Sequence, residues 1–222
     1  MSRHRREPDG HLRAIAALET SATVRALAVL AFVLSAACAA LGVAGVAGAG
    51  DAPDPCPPPT VSWHADPTPL DRGDPVAFSL DRVDACSSLA PVGVDARRRL
   101  EAPSVHTPEQ AGWYRLGPTP GERGAAVIVG RMTGDGHRGV LAGVTDARTG
   151  DRLTVWRRDG TVAVFAVTGT TRVSTARFPT RAVYGNTDGA ELRVVTAGEV
   201  PDGAGRTADD AVIVYAHLVG RG

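Results

Sequence analysis

The chain has 222 residues, enough for one ordinary domain with extra segments and too few for two large domains. Its 24 basic residues balance 24 acidic ones, which argues against a globally basic nucleic-acid-binding protein. All of the basic residues are arginines. The absence of lysine excludes Schiff-base chemistry, general-base catalysis by lysine and a phosphate-binding P-loop.

The N-terminal segment is basic and leads into an apolar run. Residues 1–25 hold five arginines and three acids, and residues 26–50 carry no charge. About 20 apolar residues cross a bilayer as a helix, so 26–50 is predicted to be a transmembrane anchor. The positive-inside rule places residues 1–25 in the cytoplasm and everything after residue 50 outside the cell. A cleaved signal peptide is the competing interpretation, since the small residues 44–49 suit a cleavage site, but the length of the run favours an uncleaved anchor.

The next segment, residues 51–75, is rich in proline and is predicted to be a semi-extended linker. Cys38 falls inside the apolar run, whereas Cys56 and Cys86 lie beyond it, in a compartment that permits disulfides. We expect a disulfide between Cys56 and Cys86 that ties the linker to the domain. A reactive thiol at either site is the alternative.

Residues 76–222 show the pattern of a β domain. Short runs of β-branched and aromatic residues alternate with Gly, Pro and Asp-Gly turns. Asp159-Gly160 predicts a hairpin with a type I′ turn. Helical periodicity is confined to residues 107–111 and 180–183. The pattern favours a closed or nearly closed β-barrel with short helices, since closure removes exposed strand edges. The best strands are predicted at 125–130, 152–156, 161–167, 191–196 and 211–216.

Five ordered blocks of this domain resemble the class F sortases, a family of actinobacterial cell-wall transpeptidases. They run from about residue 89 to residue 216 and cover the whole predicted domain. The resemblance implies a sortase-type barrel, and an N-terminal anchor with a proline-rich spacer suits such a protein. The blocks are APVGVDA (90–96), AGWYRLGPTPGERGAAVIVG (111–130), FPTRAVYG (178–185), ELRVVTAG (191–198) and VIVYA (212–216).

The resemblance also implies a chemistry and the positions that carry it. A sortase cysteine attacks an LPxTG-like sorting signal and forms a thioacyl intermediate, a histidine protonates the leaving amine, and an arginine stabilises the oxyanion. In this sequence the family histidine position is Arg131 and the family cysteine position is Ala197. Alanine has no nucleophilic atom, and arginine does not exchange protons near neutrality. Arg206 is the weak candidate for the family arginine.

Neighbouring residues offer little replacement for this machinery. Thr196 is expected to face away from the groove if Ala197 faces it, because successive strand side chains alternate. Glu199 stands where the family has a second glycine. A charge-assisted pair of Arg131 with Glu199 would fill the position that the family's histidine and cysteine occupy. His137 lies in a glycine-rich loop that could approach the site. The histidines of the domain lack ligand-like spacing, so neither a metal nor another cofactor is expected.

Three hypotheses follow from these residues. The leading one is a membrane-anchored, catalytically inactive sortase-like protein whose groove binds a peptide or protein carrying a sorting signal. The alternative is an active hydrolase that uses Glu199, Asp209, Asp210 and His137 as acid–base groups in the same groove. The third is a structural protein whose groove is vestigial. No nucleic-acid partner is expected in any of them.

Overall fold

The chain divides after Pro53, and the second of the two units is Asp54–Gly222. The computed structural model describes residues 62–96, 99–197, 200–201 and 207–222, all of which belong to the second unit. These residues form thirteen strands, a single α-helix and three short 3-10 turns. The strands are β1 His64–Ala65, β2 Pro75–Leu80, β3 Ala85–Val92, β4 Ala111–Tyr114, β5 Gly124–Arg131, β6 Thr133–Gly134, β7 His137–Arg138, β8 Arg152–Arg157, β9 Val162–Ser174, β10 Ala190–Ala197, β11 Val200–Pro201, β12 Thr207–Ala208 and β13 Asp210–Arg221; helix α1 is Thr180–Tyr184, and the 3-10 turns are Asp81–Val83, Val144–Asp146 and Thr175–Arg177.

Eight of the strands close into a barrel, which confirms the predicted mainly β fold. The hydrogen-bonded order is β13-β10-β5-β4-β3-β2-β8-β9, and β9 pairs with β13 to complete the ring. Strand β5 runs parallel to β10, and β3 runs parallel to β4, whereas the other pairs of the ring are antiparallel. Closure leaves no unpaired edge along these eight strands, so the barrel is protected against strand addition.

The alternation of side chains along the strands produces two hydrophobic clusters. The interior cluster fills the barrel with large side chains that are fully buried, among them Phe78, Ile128 and Phe165. The outer cluster lies on the opposite face of β5 and β10, where Val127 and Val195 pack with residues of α1. Because successive strand residues point to opposite faces, one strand supplies both clusters. The outer cluster matters for function because it is continuous with the floor of the groove described below.

The predicted hairpin between β8 and β9 is confirmed, but its turn type differs from the prediction. Gly160 has a positive φ of 85°, whereas Asp159 is not among the residues with positive φ. A type I′ turn requires positive φ at both central positions. Those angles occur instead at Asp135 (46°) and Gly136 (77°), which join β6 to β7. The glycine-rich loop of the sequence is therefore a small two-stranded hairpin.

The two predicted helical segments have different outcomes. Helix α1 confirms the short helix expected after Pro179. The helix expected at 107–111 is wrong, because the chain forms only a turn there and β4 begins at Ala111. The Ala111 amide donates to the buried hydroxyl of Ser87 at 2.9 Å. A serine side chain thus satisfies the first amide of β4, and the strand pairs with β3 from Ala111 onward.

The C-terminal part of the predicted linker packs on the barrel instead of extending as a free spacer. Strand β1 pairs with the end of β13, and the Leu70 amide donates to the Gly121 carbonyl at 2.8 Å. The buried guanidinium of Arg157 donates to the carbonyl of Asp71. These bonds fix the chain across one end of the barrel before β2 begins.

Several predictions concern residues outside the described part of the chain. The basic segment 1–25, the apolar run 26–50 and the first part of the linker, with Cys38 and Cys56, all fall there. Cys86 is disulfide-bonded, and its predicted pairing with Cys56 stays a prediction. Within the residues that the structure describes, no helix has the length and apolar character needed to cross a bilayer.

Candidate functional site

A groove of about 840 Å³ lies on the outer face of the barrel. Its floor is formed by Val129 of β5 and by Val195 and Ala197 of β10, and the start of β13 borders it. One wall comes from the segment between β3 and β4, and the other comes from the chain between β9 and β10. The groove is therefore built from three strands and two connecting segments that the barrel topology holds side by side.

Ala197 and Arg131 occupy neighbouring positions at the ends of parallel strands. They are register partners in the β5–β10 ladder, so their Cβ atoms leave the sheet on the same face. Ala197 lines the groove and offers it only a methyl group. Arg131 is half-buried, is not among the groove-lining residues, and donates from Nε to the Pro103 carbonyl at 2.7 Å. The strand register thus brings the two sequence-predicted positions together, and neither presents a nucleophile or a neutral-pH acid.

Thr196 borders the groove, but its hydroxyl is engaged elsewhere. The side chain is 5% exposed, and Oγ1 accepts a hydrogen bond of 2.8 Å from the Val212 amide. The hydroxyl thereby satisfies a buried backbone N–H on the neighbouring strand. It is a structural acceptor in this fold.

His137 lies on the exposed β6–β7 hairpin and is not among the residues that line the groove. The nearby His106 is exposed as well, and its Nδ1 contacts the Asp135 carboxylate at 2.5 Å. The acid–base alternative therefore lacks its histidine in the groove. Of the three acidic residues in that alternative, Asp209 and Asp210 line the groove, and Glu199 lies outside the described residues.

Arg206 also falls outside the described part of the chain, so its assignment and the proposed pairing of Arg131 with Glu199 stay predictions. Within the described residues, no group of His, Cys, Asp or Glu side chains is arranged to hold a metal ion. Among the described residues, the groove is formed by strand ends, aromatic side chains and carboxylates.

Three aromatic side chains line the groove. Tyr114 and Tyr184 meet edge to face with ring centroids 5.8 Å apart, and Phe178 lies 6.2 Å from Tyr184. Burial raises the pKa of Tyr184 to about 12, and Tyr114 contributes to the same shift. Tyr184 therefore remains a neutral phenol in the groove at physiological pH. Such a surface favours apolar and cationic ligands over anionic ones.

Sequence reasoning missed these aromatic residues as parts of the site. They were visible as the Tyr of AGWY and the Phe and Tyr of FPTRAVYG. Both blocks served only as markers of resemblance. Their meeting at one groove depends on the crossover that brings helix α1 onto the outer face of β5, which sequence pattern does not specify.

The rim of the groove carries four carboxylates and one guanidinium. Asp95 pairs with Arg99 at 2.9 Å, and Asp210 pairs with Arg172 at 2.8 Å. Glu101 accepts a 2.8 Å bond from the Gly93 amide. Asp209 accepts a 2.6 Å bond from the Thr175 hydroxyl. The groove thus combines an apolar floor with an acidic rim.

Comparison with known proteins identifies the fold. The model of the sortase domain matches residues 82–219, which is more than half of the chain. The chain belongs to the sortase family. A comparison with curated protein sequences gave no significant match.

Solved sortase structures share the barrel at low sequence identity. The SrtA sortase of Actinomyces oris is 16% identical, with a TM-score of 0.51 over 72% of this chain and 91% of that one. Sortase E of Streptomyces avermitilis is also 16% identical, with a TM-score of 0.48 over 69% of this chain and 93% of that one. Sortase A of Listeria monocytogenes is 13% identical, with a TM-score of 0.49 over 68% and 90%. At this low identity the similarity to the Actinomyces oris structure supports the fold alone.

The family is one of cysteine transpeptidases, and the described part of this sortase contains one cysteine. That residue, Cys86, lies on β3 in a disulfide and does not line the groove. The groove of this sortase is consequently formed without a thiol from any described residue.

Proposed function

We propose that this sortase binds a peptide of the sorting-signal type in its groove without cleaving it. The observation that carries the proposal is the methyl group of Ala197 in the groove floor, at the position that motif resemblance assigns to the nucleophile. Without a thiol at this position no thioacyl intermediate forms there. The floor and the aromatic wall provide the concave, mostly apolar surface that peptide ligands require.

The neighbouring Arg131 supports the same proposal. Arginine side chains do not act as general acids or bases near neutrality, and the guanidinium of Arg131 donates a hydrogen bond to the Pro103 carbonyl, so this position does not supply the acid that a leaving amine requires. The same bond ties the wall segment of the groove to the end of β5. We therefore interpret Arg131 as a residue that shapes the groove.

We also propose that the protein is a class F sortase and is anchored in the cell membrane, with the barrel outside the cell. The class rests on the five sequence blocks, and the anchor rests on the uncharged run 26–50 after a basic segment. Carbonate extraction of membranes, with protease accessibility of the barrel on intact cells, tests the anchor. Release of the barrel into the medium would indicate a cleaved signal peptide instead.

The binding proposal is tested with the full-length chain in a nonionic detergent. A fluorescently labelled LPxTG-type peptide is titrated by anisotropy, and the same samples are checked for cleavage by mass spectrometry. We expect saturable binding with no cleavage product. Ala102→Trp places a bulky ring in the groove from an exposed lining position and is expected to abolish binding.

The matched control is Ala182→Trp, at an exposed position of α1 outside the groove lining. It is expected to leave binding unchanged. Absence of binding at millimolar peptide would favour a vestigial groove. Equal effects of the two tryptophan variants would place the binding site elsewhere.

A further inference from the structure

The groove has an uneven charge distribution across its rim. Asp95 and Asp210 are paired with arginines. Glu101 and Asp209 have no cationic group within 4.0 Å among the residues that the structure describes. Glu101 accepts from a backbone amide and Asp209 from a threonine hydroxyl, which orient the carboxylates without neutralising them. Both side chains belong to exposed residues, so both face water when the groove is empty.

These two carboxylates stand on opposite sides of the groove. The strand order β13-β10-β5-β4 places β13 at one side of the floor and β4 at the other. Asp209 immediately precedes β13. Glu101 follows β3 and bonds through its amide to the Gly93 carbonyl at 3.1 Å, on the β4 side. An extended chain lying over Val129 and Val195 passes between the two carboxylates.

The aromatic wall adds a second attraction for a cation. Tyr114 and Tyr184 are half-buried, and the face of a tyrosine ring attracts an ammonium or guanidinium group. The same rings cover the aliphatic stem of a lysine or arginine side chain. An acidic ligand would approach two carboxylates that form no ion pair among the described residues, and it would lose binding energy.

We infer that the groove selects an extended peptide that combines apolar side chains with at least one lysine or arginine. This inference rests on the proposed peptide-binding function and specifies its ligand class. Apolar side chains lie on the valine floor, and the basic side chain is held between the rim carboxylates and the tyrosines. Glu101 and Asp209 are then the residues that determine specificity.

The test uses two capped peptides that differ at one position, LPKTG and its counterpart with norleucine in place of lysine. Both are titrated against the full-length chain by anisotropy at low and high salt. The lysine peptide is expected to bind about fivefold more tightly or better, and salt is expected to reduce this preference. Glu101→Gln and Asp209→Asn are each expected to reduce the preference by about two- to fivefold, through a larger loss of affinity for the lysine peptide than for the norleucine peptide.

Glu109→Gln is the matched control, because it removes one exposed carboxylate outside the groove lining. It is expected to preserve the preference for lysine. Equal affinity of the wild-type chain for the two peptides overturns the inference and leaves the proposed function standing. A lysine preference that survives in the Glu101→Gln/Asp209→Asn double variant also overturns it.

Two further outcomes are distinguishable. Failure of both peptides to bind at millimolar concentration refutes the proposed function together with the inference. Self-association of the chain without peptide, lost in the same double variant, would assign the groove to a second copy and overturn the inference. Sedimentation velocity of the peptide-free protein provides that measurement.

Discussion

Replacement of Thr196 by valine tests whether its hydroxyl is a structural acceptor. The side chain is 5% exposed, and Oγ1 accepts the Val212 amide at 2.8 Å. Valine has nearly the same shape but leaves that buried N–H without a partner, at a cost of about 1–3 kcal/mol. The added methyl group returns less than about 1 kcal/mol through burial. We therefore expect a net loss of roughly 1–2 kcal/mol in the free energy of unfolding.

The assay is thermal unfolding followed by circular dichroism. For a domain of this size the expected loss corresponds to a decrease in Tm of roughly 2–8 °C. Thr133→Val, at an exposed position of β6, is the control and is expected to stay within about 0.5 kcal/mol of wild type. Unchanged stability of Thr196→Val would refute the structural role. Loss of a peptide-cleaving activity in that variant would instead make the hydroxyl a nucleophile.

Three other predictions concern the strand ends and the aromatic wall. Gly139→Ala is expected to destabilise the barrel by about 1–3 kcal/mol in a denaturant titration, because the added Cβ would lie 2.3 Å from the Arg131 carbonyl oxygen. The control is Gly169→Ala, whose Cβ would meet nothing within 4 Å and which should differ little from wild type. Equal effects of the two variants would contradict the close packing at Gly139. Burial raises the pKa of Tyr184 to about 12, so folding keeps the phenol neutral and the barrel is expected to lose stability as the pH rises from about 10 through 12. Denaturant titrations at a series of alkaline pH values should show this loss, and a Tyr184→Phe variant with the same alkaline loss would refute it. The double variant Ala197→Cys/Arg131→His is expected to gain measurable cleavage of a sorting-signal peptide, and neither single variant should match it. A double variant that binds the peptide and forms no product would show that the groove geometry is not that of a sortase active site.

The β-barrel was predictable because its strands carry strong local signals. Each of the five strands expected from the sequence lies within or closely overlaps an observed strand, and β9 and β13 extend well beyond the predicted ends. Both extensions are stabilised by the long β9–β13 ladder, which pairs distant parts of the chain. Sequence periodicity reports local alternation and contains no information about such partners.

The errors also have physical causes. Residues 107–111 have weak helical periodicity, and pairing of Ala111 with β3 outweighs it. Asp-Gly occurs at both 135–136 and 159–160, yet only the first pair adopts positive φ at both residues. At the second turn the Arg157 amide donates to the Thr161 carbonyl, and the hairpin closes around a longer loop. Local sequence cannot distinguish two identical dipeptides whose flanking strands differ in register.

The two central positions of the candidate site followed from motif spacing, and the parallel register of Arg131 with Ala197 places them together. The other residues of the groove could not be predicted from the sequence. Tyr114, Tyr184 and Glu101 are far apart in the chain and meet only through the crossover connections of the barrel. A single sequence shows which residues carry charge or aromatic rings, but their convergence on one surface is a property of the fold.

The central claim is that the groove of this sortase lacks a nucleophile at Ala197. The most direct measurement incubates the full-length chain with an LPxTG-type peptide and an amine acceptor, then records the intact mass of the protein and the peptide products. Our account predicts an unchanged protein mass and an intact peptide. A peptide-derived adduct on the protein, or turnover that Ala102→Trp abolishes while Ala182→Trp does not, would contradict it.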